Sequence, residues 1–252
     1  MTQVGEDGFL GGKLRLRQPA KGYRAGADPV FLAAAVPARP GDSVLDLGCG
    51  VGTALFCLMS RVPDLSATGV ELVNSQVLLA RENAGLNGLE ATIVQADVTA
   101  LPPELTAQSF DHVFFNPPFF DRKNSTAAPG SDRETGRGAQ AGLDHWVDAG
   151  LRRLRPGGTL TVVQRIERLP DLLAVVSNRV GAIRVLPLQP RRSSAAKLFL
   201  FSAKKGANGA FILLPPLILH RGDRHQNDGD SYTAEAQAIL RDGAALGAFV
   251  NE

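Results

Sequence analysis

Only two cysteines, Cys49 and Cys57, occur in the 252 residues, and they form neither a CxxC pair nor a disulfide framework. With four histidines beside them the set is too small for a zinc-type cluster, so no metal is expected. Such sparse sulfur chemistry points to a reducing compartment, the cytoplasm. No apolar run approaches the roughly 18 residues a membrane helix needs, and no continuous apolar segment of the signal-peptide kind opens the chain. A soluble, unsecreted protein is expected. Acids are missing wherever bases are dense. Residues 8–27 hold Lys13, Arg15, Arg17, Lys21 and Arg24 without one acid, and residues 151–205 set twelve Lys and Arg against Glu167 and Asp171. The middle is the reverse, with ten acids between 28 and 120 against Arg39, Arg61 and Arg81. The net charge of +2 hides this segregation, which is either a solvated basic surface or a polyanion-binding face.

What is present suffices for one sizeable core, since 44% of residues are hydrophobic and 21% charged. The expected organisation is an N-terminal basic extension and helix (1–41), an α/β domain (42–205) and a C-terminal extension packing on that domain (206–252). Gly12–Arg17 alternates apolar and basic residues as a half-exposed strand does. Pro29–Ala35 reads as a short apolar helix with Asp28 as N-cap. From there strands and helices alternate: Ser43–Leu47, Thr53–Arg61, Ser66–Val70, Asn74–Asn87, Ala91–Gln95 and Phe110–Phe115. A polar stretch at 121–142 is either a lid or disordered. Helix Leu143–Leu154, a turn at Pro156-Gly157-Gly158, strand Thr159–Gln164 and helix Leu169–Arg179 follow. The closing strands Ile183–Pro187 and Lys197–Ala203 are too closely joined for a crossover and predict an antiparallel hairpin. Tyr232 and a helical Ala234–Ala245 form the tail. The fold class is therefore α/β, Rossmann-like, with a mostly parallel seven-stranded sheet and helices on both faces.

Asp46-Leu47-Gly48-Cys49-Gly50-Val51-Gly52 stands where a strand gives way to a helix, the place where open α/β sheets bind ligands. A dinucleotide fingerprint would carry glycine at position 53, which is Thr53, and the Asp46 carboxylate would repel a pyrophosphate. It suits an ammonium group instead. Glu71 ends the next strand and can take both hydroxyls of a ribose. Asp97, after the third, can accept from an adenine amine while Val98 covers the ring. Three acids at three strand ends describe a ligand with an amino acid, a ribose and an adenine. Here the chain resembles the class I S-adenosylmethionine (SAM) methyltransferases. The resemblance implies SAM as cofactor, held by Asp46, Gly48, Cys49, Gly50, Gly52, Glu71, Leu72, Asp97, Val98 and Asn116.

Asn116-Pro117-Pro118-Phe119 follows the fourth strand. Two prolines stiffen the turn and remove two backbone donors, which leaves acceptors facing a ligand. An exocyclic amine conjugated to a ring is a poor nucleophile. Accepting its hydrogens on the Asn116 side chain and the Pro117 carbonyl localises its lone pair, and Phe119 stacks on the planar substrate. This [NDS]PP[FYW] pattern resembles the amino-methyltransferases that act on nucleobases or a glutamine amide.

The likeness extends to bacterial tRNA(Val) adenine-N6 methyltransferases, through Gly8-Phe9-Leu10 to Arg24-Ala25-Gly26-Ala27-Asp28, Leu143-Asp144-His145 and Tyr232-Thr233-Ala234-Glu235. Phe119 departs from the more usual Tyr, and the 121–142 loop is unusually rich in Gly and Ala. The family implies adenine N6 in tRNA, and the charge placement favours RNA as well, with Arg15, Arg17, Arg24, Arg191, Arg192 and Lys197 as a basic rim for the phosphates around the target base. Glutamine methylation of a protein is the alternative within the class, and a non-catalytic SAM- or RNA-binding protein the alternative outside it. His145 and Trp146 read as capping and packing, Cys49 as a small residue beside the cofactor, Cys57 as core. Monomer and homodimer both stay open.

Overall fold

The computed structural model describes residues 4–22, 24–118, 141–222 and 231–250. Its first strand, β1 (Val4–Phe9), pairs antiparallel with β2 (Leu14–Pro19) around a 3-10 turn at Leu10–Gly12. Strand β1 has no sequence signature, because Gly5, Glu6, Asp7 and Gly8 are all poor strand formers. It exists because β2 offers it a ladder. Along β2 the expected alternation holds, with Leu14, Leu16 and Gln18 buried and Arg15 and Arg17 exposed.

The far edge of β2 meets no strand. Two side-chain amides of α3 (Asn74–Leu86) and its C-cap stand in for one. Asn83 accepts from Arg17 N at 2.7 Å and donates to Arg17 O at 3.1 Å; Asn87 does the same for Arg15 at 2.9 and 2.7 Å. An amide side chain carries one donor and one acceptor, as a peptide group does, so each completes the ladder for one residue.

Helix α1 (Asp28–Ala35) is buried along its length. Its N-cap is Ala27, so Asp28 is the first helical residue and makes no capping bond, contrary to the expectation. Pro29 accounts for the shift, because its fixed φ suits the first turn.

The central sheet runs β10-β8-β9-β7-β6-β3-β4-β5, with β11 also on β8. Strands β3 (Ser43–Leu47), β4 (Ser66–Glu71), β5 (Ala91–Gln95), β6 (Phe110–Phe115) and β7 (Leu154–Arg165) pair with one another in parallel. The expected hairpin is β8 (Val180–Gln189) with β9 (Leu198–Lys205), and β9 is also antiparallel to β7. Two short strands, β10 (Ile212–Leu213) and β11 (Leu217–Ile218), bring the sheet to nine rather than seven. Consecutive residues such as Val44 and Leu45 fall into different apolar clusters, as the pleat requires. One face carries α1, α2 (Thr53–Arg61) and α3; the other carries the short α4 (Pro103–Thr106), α5 (Leu143–Arg153) and α6 (Leu169–Val176).

Three expectations fail locally. Pro156-Gly157-Gly158 is not a free turn but lies within β7, where the register opposite β6 shifts between Phe110 and His112. Helix α6 stops at Val176, three residues early, because Asn178 turns left-handed at φ 60°. The tail helix breaks into α7 (Ala234–Gln237) and a wide turn at Ala238–Asp242, ended by Gly243 at φ 74°. That turn seats on the N-terminal one: Lys13 Nζ donates to Asp242 O at 3.1 Å. A last short helix, α8 (Gly247–Val250), was not foreseen.

At the amino ends of the parallel strands, Ser43 donates to Asp111 Oδ2 through N at 2.7 Å and through Oγ at 2.5 Å. Arg155 pairs with the same carboxylate, and His112 Nε2 lies 3.0 Å from Asp42. Among the described residues no helix is long and apolar enough to cross a membrane.

Candidate active site

A cavity of about 500 Å³ opens where β3, β4 and β6 end, opposite the Asp111 network. Strand pairing builds it. Leu47 pairs with Val70 on one side and Phe115 on the other, so the residues that follow, the glycine loop, Glu71 and Asn116, emerge side by side. Cys49 N donates to Val70 O at 2.9 Å, carrying the ladder one step into the loop.

Asp46 is 2% exposed. Burial, then the charge of Glu71, pushes its carboxyl well above the usual carboxylate range, opposed by the Leu55 backbone N–H in the first turn of α2. Its Oδ2 has no hydrogen-bond partner. Glu71 is held rigidly: Gly50 N donates to Oε2 at 2.9 Å and Val73 N to Oε1 at 2.8 Å. Each oxygen keeps a lone pair for a ligand hydroxyl. Cys49 is buried beside both acids, and burial followed by those charges drives its thiol well above its ordinary value, so it is no nucleophile.

Gly48, Cys49, Gly50, Leu72, Val98, Asn116, Pro117 and Pro118 line the cavity with the two acids. Two expected residues do not. Gly52 is left-handed at φ 92°, and a Cβ there would strike the Phe56 ring, so it shapes the entry to α2 rather than touching the cavity. Asp97 turns back on its own loop, its Oδ1 accepting from Thr99 N and Oγ1, both at 2.8 Å. Phe119 and nearly all of the 121–142 stretch lie outside the described residues.

Four further polar residues join the lining: Gln18, Thr53, Gln76 and Trp146. A signal for Gln18 was present, since a polar residue ends the apolar face of β2. Its amide donates to Asp7 Oδ2 at 2.7 Å and accepts from Ala25 N at 2.8 Å, which brings the segment before α1 to the cavity wall. Trp146, the sole tryptophan, packs as expected, with its ring 5.8 Å from that of Phe115, yet it also faces the cavity. His145 is exposed beside Asp144. Asp46 Oδ2, Thr53 Oγ1, Asn116 Oδ1 and Trp146 Nε1 are buried polar atoms without a partner in the protein, and all four belong to lining residues. Buried polar groups are normally satisfied, so such a concentration marks a ligand site with donors and acceptors of both kinds. An apolar wall of Leu72 and Val98, a ribose-type acid and an unpaired carboxyl fit SAM.

The basic rim is largely neutralised. Arg15 pairs with Glu6 at 3.5 Å, Arg17 with Glu82 at 3.4 Å, and Arg24 with Asp7. The acids lie outside the acid-free stretch and reach it only through the β1–β2 hairpin and α3. Arg191 donates to the carbonyls of Arg221 and Gly222 at 2.6 and 2.8 Å, tying two loops together. Arg192 and Lys197 are exposed, and none of the six lines the cavity.

Sheet order, strand-end acids and glycine loop together define a SAM-dependent methyltransferase of the Rossmann-like class. The model of the methyltransferase small domain family matches residues 27–185, and the chain belongs to that family. It is 28% identical over 87% of its length, and 87% of the relative's, to a tRNA1(Val) (adenine(37)-N6)-methyltransferase of Dickeya chrysanthemi. A release factor glutamine methyltransferase of Salmonella typhimurium is 32% identical over 46% of this chain and 44% of its own. Among solved structures, a predicted O-methyltransferase of Agrobacterium tumefaciens shares the fold at TM-score 0.68 and 22% identity, over 87% of this chain and 98% of that one.

Proposed function

We propose that this methyltransferase acts on an exocyclic amine, N6 of an adenine in tRNA, and that the unpartnered, buried Oδ1 of Asn116 beside the cofactor cavity is the observation that carries the reading. Bound SAM supplies a methyl group activated by its sulfonium. The protein's part is to prepare the amine. Asn116 Oδ1 accepts one amine hydrogen and the Pro117 carbonyl the other, so the lone pair is drawn out of ring conjugation without a strong base. Asp46 pairs with the cofactor ammonium, Glu71 takes its ribose hydroxyls, and Leu72 and Val98 enclose its adenine. Asp97 contributes by shaping the Val98 turn rather than through direct contact.

Support for tRNA comes from the relative that matches along most of the chain, whereas the glutamine methyltransferase matches under half of it. We assign phosphate contact to Arg192 and Lys197, the two rim cations with exposed side chains and no structural tie described above. The test is transfer of labelled methyl from SAM to unmodified tRNA, with nucleoside mass spectrometry expected to find N6-methyladenosine. Asn116→Ala is expected to abolish transfer and spare cofactor binding. Label confined to a protein acceptor would overturn the RNA reading in favour of the glutamine one.

A further inference from the structure

Thr53 stands where a dinucleotide fingerprint would carry its last glycine. The structure gives it a position of its own. It is the first residue of the nine-residue α2, 3% exposed, and its hydroxyl has no partner while the residue lines the cavity with Ala54. No side chain caps the helix, because the N-cap is Gly52, and no acid occupies the first turn. The helix N-terminus therefore brings backbone donors and the positive end of its dipole to the cavity wall at Thr53 and Ala54, and the one acid that reaches it, Asp46, takes the Leu55 N–H. Asp46 reaches the same turn, since the Leu55 N–H acts on its carboxyl, and its other oxygen is the unpartnered one. A free acceptor of negative charge and a free donor array thus stand at one helix end.

We propose that Thr53 Oγ1, with the first-turn N–H groups of α2, binds the α-carboxylate of the cofactor's amino acid moiety, while Asp46 takes the adjacent ammonium. The two ends of a zwitterion then meet complementary partners: the carboxylate a hydroxyl and a helix N-terminus, the ammonium a buried carboxylate. This rests on the cavity being the SAM site, and it adds a selection that the acids alone do not supply. A ligand with the amine but without the carboxylate satisfies Asp46 and leaves the Thr53 hydroxyl buried and unpaired.

Equilibrium binding by calorimetry separates the cases, with SAM and decarboxylated SAM as probes. Thr53→Val, which keeps shape and loses the hydroxyl, is expected to weaken SAM about tenfold and to leave decarboxylated SAM unchanged. Thr53→Ser should bind SAM as the parent does, and Thr53→Ala should repeat the Val result without β-branching. Equal loss for both ligands, or none for SAM, overturns the carboxylate assignment while the site itself stands. A parent protein that binds neither ligand removes the cofactor reading as well.

Discussion

The Trp146 ring rests directly against Gly48: a Cβ on that glycine would lie 2.5 Å from Cη2 and 2.9 Å from Cζ3. Gly48 is also left-handed, at φ 66°. Gly48→Ala must therefore strain the loop and push the indole into the cavity. SAM affinity is expected to fall by about tenfold or more, with strain of about 1–2 kcal/mol from the backbone alone. Gly88→Ala is the control, for Gly88 has φ 64° but nothing within 4 Å of a Cβ. It should cost stability and leave affinity intact, both read by calorimetry and thermal melts.

Cofactor binding should release a proton. Asp46 is held above the ordinary carboxylate range by burial and by Glu71, so it keeps its proton to higher pH than an exposed aspartate, and pairing with an ammonium requires the charged form. Affinity is accordingly expected to weaken as pH falls through that raised value. Calorimetry in two buffers of different ionisation enthalpy measures the proton directly, and Asp46→Asn should remove both the proton and the pH dependence.

Asn83 is fully buried and bonds Arg17 N, Arg17 O and Val51 O, so it joins the N-terminal hairpin to the glycine loop. Asn83→Ala leaves these backbone groups unpaired and is expected to destabilise by about 1–3 kcal/mol for the groups left unsatisfied. Urea unfolding measures it. Asn83→Asp, which accepts but cannot donate, should lose a similar amount.

Acid should unfold the protein from the Asp111 end. For His112, burial lowers the pKa, with the Asp42 contact opposing. For Asp111, burial works upward, but the Ser43 hydroxyl and N–H and the Arg155 charge outweigh it and hold the carboxyl below its usual range. Both folded values lie under their unfolded ones, so the unfolded chain binds protons first. The His112 contribution is complete above about pH 6.5 and is lost as pH falls toward its folded value; that of Asp111 is lost further down. His112→Asn should flatten only the upper limb of stability against pH, as followed by urea midpoints.

Much of the centre was legible residue by residue. Ser43–Leu47 and Phe110–Phe115 have the bounds expected, because a parallel sheet buries its inner strands on both faces and so writes each as a short apolar run; helix Thr53–Arg61 and edge strand Ala91–Gln95 also have the expected bounds. Strand β1 was not legible, since its reason for being extended lies in β2. Nor was the pairing of Arg15, Arg17 and Arg24 with acids, which are distant along the chain or on another element. Asp97 followed the expected order of acids, yet its carboxylate serves its own turn.

The sequence by itself determined the order of the strands from β3 to β9, the glycine loop after β3, and the acids and Asn116 at strand ends, because these depend on local periodicity and on residues next to one another. Only the tertiary structure decided which groups meet. Strand pairing brought Asp46, Glu71 and Asn116 to one cavity, the hairpin and α5 added Gln18 and Trp146 to it, and Thr53 was left there with a buried hydroxyl to satisfy. Hydrogen-bond satisfaction and charge pairing act through space, and a chain read in order carries no record of which of its distant residues will be neighbours.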